Sequence, residues 1–101
     1  MPERLGDEEI KQRLLLLPRW QRIGAVIECR VRFPSFAAAA GFVAAAAVVA
    51  EARDHHPDID LRWRTVVVRL TTHDAGGLTA ADFALAAALE PLLPPEDEPV
   101  N

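Results

Sequence analysis

Two stretches of the chain alternate apolar and polar residues, and each predicts a pair of strands. In residues 20–33 the odd positions from Ile23 onward are apolar, whereas positions 28, 30 and 32 are charged. Such alternation is typical of a strand with one buried and one solvated face. Gly24 indicates either a bulge or a turn, and we favour a hairpin that joins strands over Trp20–Ile23 and Ala25–Phe33.

The second alternating stretch, Ile59–Thr72, changes parity partway along. Its apolar residues occupy odd positions up to Trp63 and even positions from Val66 onward. Because a shift of one residue moves every side chain to the other face of a sheet, we predict a break near Arg64 and Thr65. This break separates a third strand from a fourth.

Three helices are predicted around these strands. Pro18 ends the first, because proline lacks a backbone donor and disfavours helical geometry in the residue before it. The first helix is expected to be capped by Asp7 and to end at about Leu17. The second is expected from a cap at Ser35 to about Arg53, and the third from Thr79 to about Leu89. The resulting order is helix, strand, strand, helix, strand, strand, helix.

This order predicts an α+β fold in which helices pack on one face of a four-stranded antiparallel sheet. A single domain is expected over residues 1–93. Residues 94–101 are rich in proline and acidic side chains, and we expect them to form a disordered tail.

Composition narrows the class of protein. The chain has 101 residues, 50% of them hydrophobic, and a formal net charge of -4. The negative charge argues against nucleic acids and anionic membranes as partners. Cys29 is the only cysteine, so no intrachain disulfide can form. Nothing in the polar first nine residues predicts a signal or a membrane span, and we expect a cytoplasmic protein.

The three histidines lie where predicted elements end. His55 and His56 follow the long helix, and His73 follows the last strand. Histidine exchanges protons readily near neutral pH, because its ordinary pKa is about 6.5. Loops at the ends of rigid elements commonly carry reactive groups, so the three side chains are candidates for acid/base catalysis.

Structural interpretations compete with this hypothesis. Adjacent histidines at the end of a helix can act as a C-cap that the helix dipole favours. Asp82 lies three residues after Thr79, the spacing of a capping box. Trp63 on an alternating strand ordinarily belongs to the core, and Asp74 before two glycines ordinarily belongs to a turn.

A metal site is a further alternative, because imidazoles and carboxylates suit zinc, nickel or iron. Adjacent histidines do not naturally point the same way, and no pair of histidines four residues apart occurs in the sequence. We therefore rank a metal site below acid/base chemistry.

The spacing of these residues resembles the signature of the pterin-4a-carbinolamine dehydratases. The residues that carry the resemblance, in order and with the family's gaps, are Glu51, His55, His56, Pro57, Trp63, His73 and Asp82. Asp58, Thr72 and the Gly76–Thr79 segment agree as well. The resemblance covers roughly residues 10–93.

The resemblance implies the dehydration of a 4a-hydroxytetrahydropterin to a quinonoid dihydropterin, without a cofactor or metal, in the recycling of tetrahydropterin. It implies catalytic roles for three histidines, with His55 and His73 as the acid/base pair in either order and His56 positioning the pterin. The residues implied to bind substrate or orient the histidines are Glu51, Pro57, Asp58, Trp63, Thr72 and Asp82. It also implies a homodimer or homotetramer.

Two other functions are compatible with the same family. One is a non-catalytic module that helps a transcription factor to dimerise, and the other is pterin binding in another pathway such as molybdopterin metabolism. Arg62 and Arg64 flank Trp63 where the family commonly has asparagine. These arginines could favour a substrate with an anionic side chain, or could simply be solvated strand residues.

Overall fold

The computed structural model describes residues 3–95, which contain the three predicted helices and the four predicted strands. In chain order these are α1 (Asp7–Leu14), β1 (Trp20–Ile23), β2 (Val26–Arg32), α2 (Phe36–Arg53), β3 (Asp58–Arg62), β4 (Thr65–Leu70) and α3 (Ala80–Leu89). Short 3-10 helices lie at His73–Ala75, between β4 and α3, and at Glu90–Leu92, after α3. The predicted α+β order is confirmed.

The sheet has the strand order β1-β2-β4-β3, and every neighbouring pair is antiparallel. Its helix-facing side forms the core: Cys29 lies opposite Val68, Ile27 opposite Leu70, and all four side chains are buried. Because β1 and β3 are the edges of this sheet, each has one side without a strand partner within residues 3–95.

Both predicted hairpins are present. Gly24 has a φ of 62° in the two-residue connection between β1 and β2, a conformation that glycine adopts without steric cost. The parity change in the second stretch marks a turn at Trp63 and Arg64, since Arg62 pairs with Thr65. The strand break was therefore predicted to within one residue.

The first helix differs from the prediction at both ends. Gly6, in extended conformation, is the N-cap, and the Asp7 carboxylate instead accepts a hydrogen bond from Arg22 at 2.9 Å. The helix ends at Leu14 and not at Leu17, because the chain turns so that Leu17 enters the core.

The caps of the other two helices are confirmed. The Ser35 hydroxyl accepts the Ala38 N–H at 3.0 Å, and Asp54, the C-cap of α2, has a φ of 51°. Thr79 caps α3 in a reciprocal capping box with Asp82.

By length and composition alone, α2 is the one helix within the described residues that could cross a membrane. Core helices of soluble proteins pass the same test. Here Ala39, Phe42, Ala46 and Ala50 pack into the core with the sheet. Phe36 and Val48 on the same helix are 55% and 72% exposed.

Of the predicted tail, Pro94 and Pro95 lie outside any helix or strand. Residues 96–101 lie outside the described part of the chain, so the expectation of disorder there stays a prediction.

The outer face of the sheet carries an ion-pair network across three strands. Arg69 donates to Glu28 at 3.0 Å and to Asp60 at 2.9 Å. The hydrogen bond from Arg69 lowers the pKa of Asp60 below its ordinary 3.8, and the nearby charges of Arg62 and Arg30 act in the same direction. The network holds β2, β4 and β3 together on the solvated side.

We predict that Leu70→Ala lowers the free energy of unfolding by about 2–5 kcal/mol, because it leaves a cavity in the core. Leu70 is 1% exposed, whereas Leu16 is 83% exposed and is the matched control. Chemical denaturation of both variants measures the difference. Equal losses in the two variants would contradict the assignment of the core.

We predict that Asp60→Asn lowers the melting temperature above pH 3.8, and that the deficit shrinks as the pH falls below that value. A carboxyl whose pKa is lowered in the folded state stabilises that state above its unfolded pKa. This contribution is lost as the pH falls through the lowered value. Thermal melts from pH 2 to pH 7, on the order of one pH unit apart, test this, and a deficit that is constant with pH would contradict it.

Candidate active site

His55 is positioned by the end of α2. Asp54 adopts a left-handed conformation, which turns the chain out of the helix, and the N–H of His55 still bonds to the carbonyl of Ala50 at 3.2 Å. Its side chain is 16% exposed. The imidazole is therefore directed back toward the protein and keeps limited access to solvent.

The partner of His55 is the fully buried carboxylate of Asp82, on the first turn of α3. Asp82 Oδ1 lies 2.6 Å from His55 Nε2. Its other oxygen, Oδ2, accepts the Thr72 hydroxyl at 2.8 Å and the Thr79 N–H at 2.9 Å. Three donors from three separate segments thus satisfy one carboxylate at 0% exposure.

This contact determines which ring nitrogen of His55 can react. An ionised carboxylate only accepts hydrogen bonds, so His55 Nε2 must carry the proton that faces Asp82. In the neutral ring the lone pair then lies on Nδ1. His55 can accept a proton from a ligand at Nδ1, and Asp82 would stabilise the resulting positive charge.

His56 lies in a different environment. Its Nε2 is 2.9 Å from Glu51 Oε1, and the two side chains are 59% and 82% exposed. The structure thus brings Glu51 against His56, and Asp82 against His55. An exposed pair of this kind contributes little to stability.

His73 is linked to the site by Thr72, the residue before it in the chain. It begins the 3-10 helix after β4, and it is exposed. The preceding residue, Thr72, is 8% exposed, donates to Asp82, and pairs through its backbone with Gly77. The loop that carries His73 is therefore fixed at one end by the same carboxylate that orients His55.

Pro57 and Asp58 connect the histidines to β3. Pro57 is half-buried, and Asp58 is the exposed first residue of β3, opposite Arg69. Both lie at the histidine end of the strand.

Trp63 is not close to the histidines of its own chain. It lies at the other end of β3, in the turn, and is 70% exposed with a φ of 55°. At about 3.3 Å per residue, the five residues of β3 separate it from Pro57 by roughly 16 Å or more. The expectation that Trp63 belongs to the core is wrong, because the hairpin turns at this residue, and its substrate-binding role stays a prediction.

Arg62 and Arg64 lie at that distant end as well. Arg64 lies 5.4 Å from the Trp63 ring centroid and donates to the Pro34 carbonyl at 3.3 Å. Within a single chain neither arginine is placed to meet a ligand held by the histidines.

Thr79, which the sequence predicts only as a helix cap, also belongs to the hydrogen-bond network around Asp82. Its hydroxyl lies 2.8 Å from that of Thr72, and it is fully buried. The capping-box spacing to Asp82 was visible in the sequence. The same carboxylate also contacts His55. This contact depends on the packing of α2 beside α3, which no local sequence pattern predicts.

No cluster of three or more histidine, cysteine, aspartate or glutamate side chains within residues 3–95 is arranged to hold a metal ion. Each imidazole whose contacts are described pairs with a single carboxylate. The arrangement suits proton transfer.

Comparisons with known proteins show what the chain is similar to. Residues 3–92 match the family described as pterin 4 alpha carbinolamine dehydratase. A provisionally named pterin-4-alpha-carbinolamine dehydratase of Roseiflexus sp. (strain RS-1) is 50% identical over 93 residues, which is 92% of this chain and 100% of the relative. A similarly named protein of Picosynechococcus sp. is 46% identical over 91% of this chain and 100% of its own length.

Two solved structures are also similar. A transcriptional coactivator/pterin dehydratase from Brucella melitensis superposes with a TM-score of 0.87 at 33% identity, over 91% of this chain and 100% of that one. A pterin dehydratase-like protein identified as a RuBisCO assembly factor in the alpha-carboxysome gives 0.60 at 28% identity, over 73% of this chain and 86% of that one.

We predict that Thr72→Val lowers the free energy of unfolding by about 1–3 kcal/mol, because it removes a donor from a buried carboxylate. Thr71→Val is the matched control, since the Thr71 hydroxyl bonds to the Ala25 carbonyl at an exposed position where water can replace it. Urea denaturation of the two variants measures the difference. A loss for Thr71→Val as large as that for Thr72→Val would contradict the role given to the Asp82 network.

Proposed function

Because the chain belongs to the pterin-4a-carbinolamine dehydratase family, we propose that it converts a 4a-hydroxytetrahydropterin to the quinonoid dihydropterin by histidine acid/base catalysis. The reaction removes a proton from a ring nitrogen, breaks the bond between carbon 4a and its hydroxyl oxygen, and releases water after that oxygen takes up a proton. It therefore needs one base and one acid.

The observation that carries this proposal is the 2.6 Å contact between His55 and the buried Asp82. A histidine held by a buried carboxylate is preorganised to take a proton, since its orientation is fixed and the charge it gains is stabilised. We assign His55 Nδ1 as the base that accepts the ring proton. His73, on the adjoining loop and open to solvent, is assigned as the acid at the leaving oxygen.

The remaining residues act in binding. His56, held by Glu51, orients the pterin, and Pro57 fixes the chain between the histidines and β3. Asp58 and Thr72 border the same region, and Thr72 acts through Asp82. The proposal places the reaction in the cytoplasm, in the recycling of a tetrahydropterin cofactor, and in a homo-oligomer.

A second candidate is a non-catalytic interaction module. The observation that favours it is the exposed apolar surface of α2, where Phe36 and Val48 are 55% and 72% exposed. One structural neighbour bears the name of a coactivator and another that of an assembly factor. The intact histidine network favours the enzyme, because an interaction module has no need of it.

We predict that the native protein accelerates dehydration of freshly generated 4a-hydroxytetrahydropterin, followed by ultraviolet absorbance. Removing an acid or a base from such a site typically costs about 10²–10⁴-fold, so His55→Ala and His73→Ala are each expected to lower kcat/KM by at least about tenfold. His56→Ala is expected mainly to raise KM. Leu16→Ala changes a side chain that is exposed on the surface, and this variant serves as the folding control.

Native protein that gives no acceleration at micromolar concentration would overturn the proposal and leave the interaction module as the leading candidate. Acceleration that survives in both His55→Ala and His73→Ala would retain the dehydratase but contradict the assignment of its acid and base.

A further inference from the structure

The loop that carries His73 is closed by a pair of backbone hydrogen bonds. The Thr72 N–H donates to the Gly77 carbonyl at 3.1 Å, and the Gly77 N–H donates to the Thr72 carbonyl at 3.3 Å. The 3-10 helix His73–Ala75 and its C-cap Gly76 lie between them. We call the pair of residues 72 and 77 the loop neck. Because His73 directly follows Thr72, its position depends on what holds this neck.

The buried carboxylate of Asp82 holds one side of the neck, since it accepts the Thr72 hydroxyl at 2.8 Å. On the other side, Gly77 has no side chain with which to make an equivalent contact. Its φ lies outside the left-handed region, so the backbone conformation does not require a glycine there. The missing side chain therefore has another cause, which is a close contact from outside the loop.

The side chain of Arg4 makes that contact. A Cβ atom at Gly77 would lie 2.8 Å from Arg4 Cδ and 3.2 Å from Arg4 Cγ, so the arginine occupies the space that any larger residue would need. A Cβ atom at Gly76 would lie 3.9 Å from Arg4 Nη1, so the side chain continues along the loop toward the 3-10 helix. Arg4 thus covers the outer side of the neck with its methylene groups.

The backbone beside Arg4 keeps the side chain on this path. The Leu5 N–H donates to the Leu78 carbonyl at 2.8 Å, and Leu78 is 1% exposed. Leu5 also packs against the core, and the next residue, Gly6, caps α1. The segment before α1 is therefore fixed against the end of the loop, although Arg4 itself is exposed.

The methylene groups of Arg4, and not its charge, make the contact. In the described part of the chain no ion pair joins Arg4 to another side chain. Arg22 differs, because it bonds to Asp7 and to the Gly24 carbonyl. Both arginines line a cavity of about 700 Å³. A displaced Arg4 therefore has room to leave the loop without disturbing the core.

We propose that Arg4 is a positioning residue for His73. Its side chain holds one side of the neck while Asp82 holds the other, so that the loop presents His73 to the leaving oxygen of the substrate in one place. This role rests on the proposed function, in which His73 is the acid, whereas the packing of Arg4 on Gly77 does not. A group misplaced by about 1 Å can cost on the order of a hundredfold in rate, so a small loosening of the neck lowers kcat.

The packing is tested by the mobility of the loop. Arg4→Ala removes the contact, and backbone ¹⁵N relaxation is expected to show order parameters for residues 73–77 that fall from about 0.85 in the native protein toward about 0.6. Arg22→Ala removes an arginine from the same cavity and is expected to leave these values unchanged. A loop that is as rigid in Arg4→Ala as in the native protein would overturn the packing.

The positioning of His73 is tested by a double-mutant cycle. Arg4→Ala is expected to lower kcat by about tenfold with little change in KM, because the acid is displaced while the binding residues stay in place. In a His73→Ala background the same change is expected to lower kcat by less than about twofold, because no acid remains to be displaced. Equal losses in both backgrounds would indicate a purely structural contact and overturn the positioning role.

Two further variants separate the methylene contact from the charge. Arg4→Met keeps an unbranched side chain as far as the δ position and is expected to retain the native kcat. Gly77→Ala adds the Cβ atom that would lie 2.8 Å from Arg4 Cδ, so it is expected to push the arginine into the cavity and to reproduce the loss of Arg4→Ala. The double variant Arg4→Ala/Gly77→Ala is expected to lose no more than either change alone, since both remove one contact.

Additive losses from Arg4→Ala and Gly77→Ala, or a loss in Arg4→Met as large as that in Arg4→Ala, would overturn the role given to this contact. Native protein without dehydratase activity would overturn the proposed function and with it the role of His73, while the mobility of the loop would still decide the packing.

Discussion

The site depends on one carboxylate that has no access to water. A buried ionised group is costly unless hydrogen bonds replace its hydration, so Asp82 at 0% exposure needs every donor it receives. These donors come from the loop after α2, the end of β4 and the start of α3: His55, Thr72 and the Thr79 N–H. Only when all three segments are in place is the charge satisfied. The fold and the orientation of His55 are therefore fixed together.

The same dependence links an ordinary helix cap to the orientation of a histidine side chain. Thr79 and Asp82 form a capping box that begins α3, and that box alone would be unremarkable on a helix. The capping box uses Oδ2 of Asp82, which leaves Oδ1 free to contact His55, so the start of a helix also orients an imidazole. The loop that carries His73 is held at one end by Thr72, the residue before it. The loops that carry His55 and His73 thus share one anchor, the Asp82 carboxylate.

Much of the fold was predictable because local signals agreed with the tertiary structure. Ser35 and Thr79 carry their caps in the sequence, and the change of parity between Trp63 and Val66 marks the β3–β4 turn. The end of α1 was not predictable, because burial of Leu17 overrides the helical tendency of four leucines. The pairing of His55 with Asp82 joins residues 27 positions apart, and no local pattern shows which of the nearby carboxylates each histidine will meet. Trp63 was misplaced for a different reason: alternation identifies strand residues but does not distinguish the last of them from the first of a turn.

We infer from the 2.6 Å contact that Asp82 holds His55 as the tautomer protonated at Nε2 and leaves Nδ1 unprotonated. Long-range proton–nitrogen correlation spectra of the uniformly ¹⁵N-labelled protein report the two ring nitrogens separately, at a pH where the imidazole is neutral. We expect a protonated, pyrrole-like Nε2 and an unprotonated, pyridine-like Nδ1 for His55 in the native protein, with this preference lost in Asp82→Asn. A native His55 protonated at Nδ1 would contradict this assignment, since the contact with Asp82 would then lack its proton and the unprotonated nitrogen would face Asp82.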